Sequence, residues 1–345
     1  MRNMSRRSFL MVAASGLAVA ACTTPGLVAP APTVVPAALS APMATTMPTD
    51  GHVMAPPSAA GQAHTAYDAT LSRVLDGAVK PITIEAVDAK VEVAPGVTLN
   101  AWTFGGTIPG PMIHVRQGDT IQFTLANHGS MGHSMDFHAA RTSPSTNYKT
   151  VLAGQSYSFD WKAQDPGVFM YHCGTAPILQ HLAEGMYGAV VVDPVDHPLP
   201  AVDHEFSFVQ SEFYLAQPQG ATGIDSGIDY EKAKSGNADL VVFNGYANQY
   251  SDHPLSVKVG DKLRVHLVNV GPNHFSAVHV VGTIFDHVYA DGNPANDLRG
   301  ISTWTVAPGE GATFDFTLSE PGNYPMVTHS FSDATKGAVA VFKAE

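Results

Sequence analysis

The chain has 345 residues and a formal net charge of −12 at pH 7. An acidic chain lacks the basic footprint that nucleic acid requires, which excludes DNA and RNA as partners. The length suffices for two domains, and beyond the N-terminal segment no run of about 20 apolar residues offers a transmembrane helix.

In chain order, residues 1–22 read as an export signal, with Arg6-Arg7 ahead of an apolar run to Ala21. Small residues precede Cys22, as in bacterial lipoprotein signals. Cys22 is therefore the lipidation candidate, and a lipid anchor is the only membrane contact expected. The protein is expected in the periplasm or cell envelope. Residues 23–65 are rich in Ala, Pro and Thr and almost uncharged, which predicts a disordered linker. Met43, Met47, His52 and Met54 within it are read as an accident of composition.

From about residue 80 the chain reads as short strands broken by Gly, Pro, Asn and Asp. Ile82–Val87 and Thr120–Leu125 alternate apolar and polar side chains, the period of a half-buried strand. No long helical pattern competes, and Ile224–Ser235 suits a short helix in an insertion. The expected class is all-β, as a sandwich or barrel. An internal repeat then sets the organisation. Val115-Arg-Gln-Gly118-Asp119 through Asn127 recurs as Val257-Lys-Val-Gly260-Asp261 through Asn269. Gly154 to Asp160 recurs as Gly309 to Asp315, Pro166-Gly167 as Pro321-Gly322, and Gly188-Ala-Val-Val-Val192 as Gly337-Ala-Val-Ala-Val341. The Pro-rich stretch Asp193–Ala201 marks the junction, giving domains at 66–195 and 196–345.

The copies differ where chemistry would sit. Copy one has Tyr171-His172-Cys173 and copy two has Val327-Thr328-His329-Ser330. With Cys22 removed or lipidated, Cys173 has no disulfide partner, and metal ligation gives an exported thiol a reason to exist. His133, Cys173, His181 and Met186 supply one thiolate, two imidazoles and a thioether. Cys-x7-His-x4-Met on one loop favours blue copper over zinc, which rarely takes Met. Strand alternation turns His172 away from Cys173 and His138 away from His133, so both are expected at a second metal. His329, at the matching place in copy two, would complete three imidazoles with an open position, a common form of catalytic centre. Asp136 lies between His133 and His138, suited to proton handling or to a turn. His279 is placed where copy one has His138. It reads equally as a second proton donor or a core histidine.

Gly132-His-Ser-Met-Asp-Phe-His-Ala-Ala140, Tyr171-His-Cys173 and His181-Leu-Ala-Glu-Gly-Met186-Tyr-Gly188 resemble the copper-containing nitrite reductases. These are enzymes of two tandem cupredoxin (Greek-key β-sandwich) domains, and the resemblance covers about residues 80–345. It implies two coppers per chain: type 1 on His133, Cys173, His181 and Met186, and type 2 on His138, His172 and His329. It further implies Asp136 and His279 as the catalytic acid–base pair, and a homotrimer with the type 2 site between subunits. His329 and His279 would then come from a neighbouring chain. Val281 stands where the family often has Ile, opening the substrate pocket. The chain ends soon after its last strand, so the expected electron donor is a separate cupredoxin or c-type cytochrome. The implied reaction is one-electron reduction of nitrite to nitric oxide and water.

Two rival readings have different copper counts. A two-domain laccase-like oxidase needs repeated His-x-His pairs, which Asp136-Phe-His138 and copy two do not supply. A blue-copper electron carrier has no use for His138, His172, His329 and Asp136.

Overall fold

The computed structural model describes residues 65–217 and 224–345. The twin arginine, Cys22 and the linker's Met and His residues lie outside them. Among the described residues no helix is long and apolar enough to cross a membrane.

Each repeat forms two sheets. In the first, the five-stranded sheet runs Ile224–Ser226, Val97–Phe104, Val79–Ala94, Thr120–Asn127, Ser156–Lys162 in spatial order. Its four-stranded partner runs Ile113–Arg116, Tyr187–Asp193, Gly167–His172, Asp136–Phe137. The second repeat has a six-stranded sheet centred on His204–Phe213, Lys262–Gly271 and Gly311–Thr317. It also has a five-stranded sheet that contains Val339–Ala344, Gly322–Thr328 and Ser276–Val280. Alternation builds these layers. Along Thr120–Asn127, Ile121, Phe123 and Leu125 are buried while their neighbours face outward. The expected helix in the insertion is Tyr230–Ser235, and Ile224–Ser226 joins a sheet instead.

Three apolar clusters hold the molecule together. One fills the first sandwich around Phe123, Phe137 and Trp161, and one fills the second around Phe208, Phe285 and Phe314. The third lies between the sandwiches, where Val93, Leu99 and Tyr187 meet Val209, Phe213 and Val242. This shared core makes the two sandwiches one packed body, since apolar burial contributes about 25 cal/mol per Å².

The repeat is visible in individual hydrogen bonds. Gly118 and Gly260 turn the chain at φ +94° and +90°, a region that favours glycine. The Asp that follows each accepts from a backbone N–H, Arg116 at 2.8 Å and Lys258 at 2.9 Å. Asn127 Nδ2 donates to the carbonyls of Met131 (2.7 Å) and Val151 (2.8 Å). Asn269 Nδ2 donates to those of His274 (2.8 Å) and Val306 (3.0 Å). These asparagines brace the loops that lead to His133 and to its counterpart.

Candidate metal centres

The first centre gathers side chains from three segments. His133 is fixed by paired backbone bonds with Val151, at 3.0 and 2.7 Å. Cys173 follows the strand Gly167–His172, and its N–H donates to Met186 O at 3.0 Å. His181 sits in the helix Ile178–Glu184, which Gly185 ends at φ +116°. A Cβ on Gly185 would approach Ile108 Cδ1 to 2.4 Å, so only glycine fits this cap. The Met186 N–H then returns to His181 O at 3.1 Å, which sets ligand spacing through the backbone.

The donor atoms of His133, Cys173 and His181 all lie within 4.8 Å of one another and are buried. Cys173 Sγ is 4.0 Å from His133 Nδ1 and accepts the Ser134 N–H at 3.4 Å. Met186 is fully buried. Nε2 of both His133 and His181 is buried with no hydrogen-bond partner among the described residues. Burial, and then repulsion from His181, lowers the His133 pKa to about 4, so the ring is neutral and able to ligate. Burial pushes the Cys173 thiol up despite hydrogen bonds from Ser134 and Thr175. A thiol held neutral in apolar surroundings becomes a thiolate when a cation replaces its proton. Two imidazoles, one thiol and a buried thioether fit copper. Trp102, which sequence reasoning missed, packs on both imidazoles with centroids at 5.7 and 5.0 Å.

The second centre begins one residue away. Asp136, His138 and His172 bring ligand atoms within 4.8 Å of one another. The Nε2 atoms of His138 and His172 are 3.3 Å apart, and Asp136 Oδ2 is 3.8 Å from His172 Nε2. His172 Nδ1 donates to its neighbour's carbonyl, Cys173 O, at 2.9 Å, which leaves Nε2 with a lone pair. His138 bonds the backbone of Gly309, and burial followed by repulsion from His172 lowers its pKa. Two basic nitrogens facing each other beside a carboxylate form a cation site. His172 is buried, Asp136 half-buried and His138 exposed, so the site opens to solvent.

His279 and His329 lie together elsewhere, on the second sandwich, with ring centroids 5.2 Å apart. The Ser302 carbonyl accepts from His279 Nδ1. His329 contacts the Phe331 ring at 4.9 Å. Neither joins the His138–His172 group within the chain. Val281 follows the His279 strand and is 43% exposed.

Strand register corrects the alignment of the two copies. Asp136 pairs with His172 and Phe137 with Tyr171; His279 pairs with Val327 and Val280 with Met326. His138 N bonds Met170 O, as Val281 N bonds Pro325 O. His279 therefore occupies the place of Asp136, not of His138, and Val281 that of His138. Val327, not His329, matches His172; His329 lies two residues further on. Met186 N bonds His181 O, as Ala338 N bonds Asp333 O (3.5 Å). Gly185 thus matches Gly337, and Gly188 matches Ala340, three residues from the expected pairing. The donor cradle of copy one therefore has a counterpart made of Ser276, Thr328, Asp333 and Ala338. Even the bond to sulfur is repeated: Ala277 N donates to Thr328 Oγ1 at 3.0 Å.

Two family models described as multicopper oxidase match residues 85–197 and 204–343. The copper-containing nitrite reductase of Neisseria gonorrhoeae is 38% identical over 269 residues, covering 76% of this chain and 68% of that protein. The solved copper nitrite reductase from Nitrosomonas europaea superposes with a TM-score of 0.72 at 36% identity, covering 77% of this chain and 94% of that one. A solved multicopper oxidase at 24% identity and TM-score 0.68 covers 81% and 94%, a likeness of fold alone.

Proposed function

This chain belongs to the copper-containing nitrite reductases, with a two-domain cupredoxin fold, and from that membership we propose how its own residues divide the work. His133, Cys173, His181 and Met186 hold type 1 copper. His138 and His172 hold type 2 copper, with His329 supplied by a neighbouring subunit of a homotrimer. The domains are residues 66–195 and 196–345, after a signal at 1–22 and a linker at 23–65. The twin arginine directs export to the periplasm, and Cys22 carries the lipid anchor. A separate cupredoxin or c-type cytochrome gives the electron.

Copper held by His133, Cys173, His181 and Met186 would supply one-electron redox chemistry, and copper held by the His138–His172 site would supply Lewis-acid polarisation of nitrite. Cys173 and His172 are consecutive, so one peptide unit links the two donor sets. Nitrite takes up one electron and two protons; one N–O bond breaks, and its oxygen leaves as water beside nitric oxide. Asp136 borders the open side of the His138–His172 pair and delivers one proton. His279, fixed by the Ser302 carbonyl at Nδ1, keeps Nε2 for the other. Val281 lines the substrate side and leaves it roomier than Ile would.

The observation that carries this reading is the pair of donor clusters joined at His172-Cys173. Copper analysis with optical and EPR spectra, before and after nitrite, tests it. Two coppers per chain are expected, with a type 2 signal that nitrite shifts and a type 1 signal that it leaves intact. One copper per chain would favour an electron carrier, and four a laccase-like oxidase.

A further inference from the structure

The counterpart cradle in the second domain is filled by a hydrogen-bonded network. Asp333, at the place of His181, is buried. Its Oδ1 lies 2.9 Å from His274 Nδ1, and its Oδ2 accepts from Ser330 Oγ at 2.7 Å. His274 Nε2 donates to Gly236 O at 2.6 Å. Both ring nitrogens of His274 thus face acceptors, the pattern of an imidazolium. Buried Glu212 adds a second negative charge, accepting the N–H of Asn273 (3.0 Å) and of His274 (2.7 Å) as well as the Tyr214 hydroxyl. Burial alone would lower the His274 pKa, but Gly236 O, Glu212 and Asp333 outweigh it and raise it.

This network ends on both sides of His329. Ser330 is its next residue, and Ser330 N donates to Thr328 Oγ1 at 3.3 Å. Thr328 Oγ1 also takes the Ala277 N–H, while His329 N bonds Ala277 O at 2.7 Å. The imidazole of His329 is exposed, yet the backbone on each side of it is tied into the interior. Ser330 does not use its hydroxyl to cap the helix Phe331–Ala334 that it begins; the hydroxyl goes to Asp333.

We infer that Asp333, clamped by His274, is a positioning residue for His329, so that the counterpart cradle serves as a rigid mount for the type 2 ligand offered to a neighbouring subunit. The inference rests on the reading of His329 as that ligand. A ligand presented at an exposed edge needs its direction set from within its own chain, because geometry at a metal tolerates little slack. Partners that orient ligands typically contribute 10–100-fold in metal affinity.

The full chain, depleted of copper and titrated with Cu(II), tests the inference through the type 2 EPR signal, with the type 1 absorption as internal control. Asp333→Ala is expected to weaken type 2 binding about tenfold or more and to leave type 1 binding unchanged. Asp333→Asn keeps an acceptor for Ser330 and should recover part of the loss. Ser330→Ala cuts the link while leaving the His274–Asp333 pair, and it carries the test if Asp333→Ala does not fold. Wild-type type 2 affinity and EPR in both Ser330→Ala and Asp333→Asn would overturn the inference. His329→Ala separates the two claims. If it retains type 2 copper, the reading of His329 fails and the inference with it. If it loses type 2 copper while the Asp333 and Ser330 variants bind normally, the inference alone fails.

Discussion

The two sandwiches offer the same cradle with different contents. Copy one places His133, Cys173, His181 and Met186 where copy two has Ser276, Thr328, Asp333 and Ala338. The frame around them is shared: an asparagine bracing the entering loop, a backbone N–H aimed at position 173 or 328, and a glycine in the left-handed region after the helix. A scaffold built from backbone hydrogen bonds keeps its shape while its donor atoms change. With imidazoles, a thiol and a thioether it suits copper. With hydroxyls, a carboxylate and a methyl group it suits an internal ion pair.

Exchanging the contents of the cradles gives the largest expected effect. Cys173→Thr puts the residue of copy two into copy one. The blue absorption should vanish and nitrite turnover with it, while the type 2 EPR signal persists; a retained blue band would break the comparison. Next comes the place shared by Asp136 and His279. Asp136→Asn keeps the shape and removes the proton, so turnover should fall by about 10²–10⁴-fold at unchanged type 1 absorption. Full activity in that variant would remove Asp136 from proton delivery.

The two cradles should also differ in the sign of their pH response. The pKa of His133 falls from the ordinary 6.5 to about 4. In copper-free protein its contribution is therefore complete above pH 6.5 and is lost as pH falls towards 4, by about 3 kcal/mol at most. The pKa of His274 is raised, so its contribution is complete below pH 6.5 and is lost as pH rises through the shifted value. Denaturant melts of copper-free protein across pH check both. His274→Gln should flatten the alkaline limb and leave the acid limb unchanged. Loss of the acid limb in that variant would contradict the assignment.

Much of this was legible in the residues. Period-two alternation in Thr120–Leu125 marks a strand, and Gly118-Asp119 and Gly260-Asp261 mark the repeat. Cys-x7-His-x4-Met on one loop is a ligand set whose chemistry follows from its atoms. The register of the strand Gly322–Thr328 was legible: Gly167 matches Gly322, and five residues on His172 meets Val327. Aligning His329 with His172 was a slip of two residues, which keeps strand face and so breaks no alternation. What was not legible is the gap that follows: nine residues separate Thr328 from Gly337 where twelve separate Cys173 from Gly185, and a gap in a loop leaves no periodic trace. Trp102 and Asp333 were invisible for another reason: each acts through a contact between segments distant in sequence.

The division of labour between the copies is tested most directly by subunit mixing. His172→Ala and His329→Ala chains are each prepared alone, then dissociated and reassembled together. Each variant alone should be inactive. Mixed trimers should regain nitrite reduction and a type 2 EPR signal, because a His329→Ala chain keeps His138 and His172 and can take His329 from an adjacent His172→Ala chain. Mixed trimers that stay as inactive as their parents would contradict a type 2 site shared between subunits.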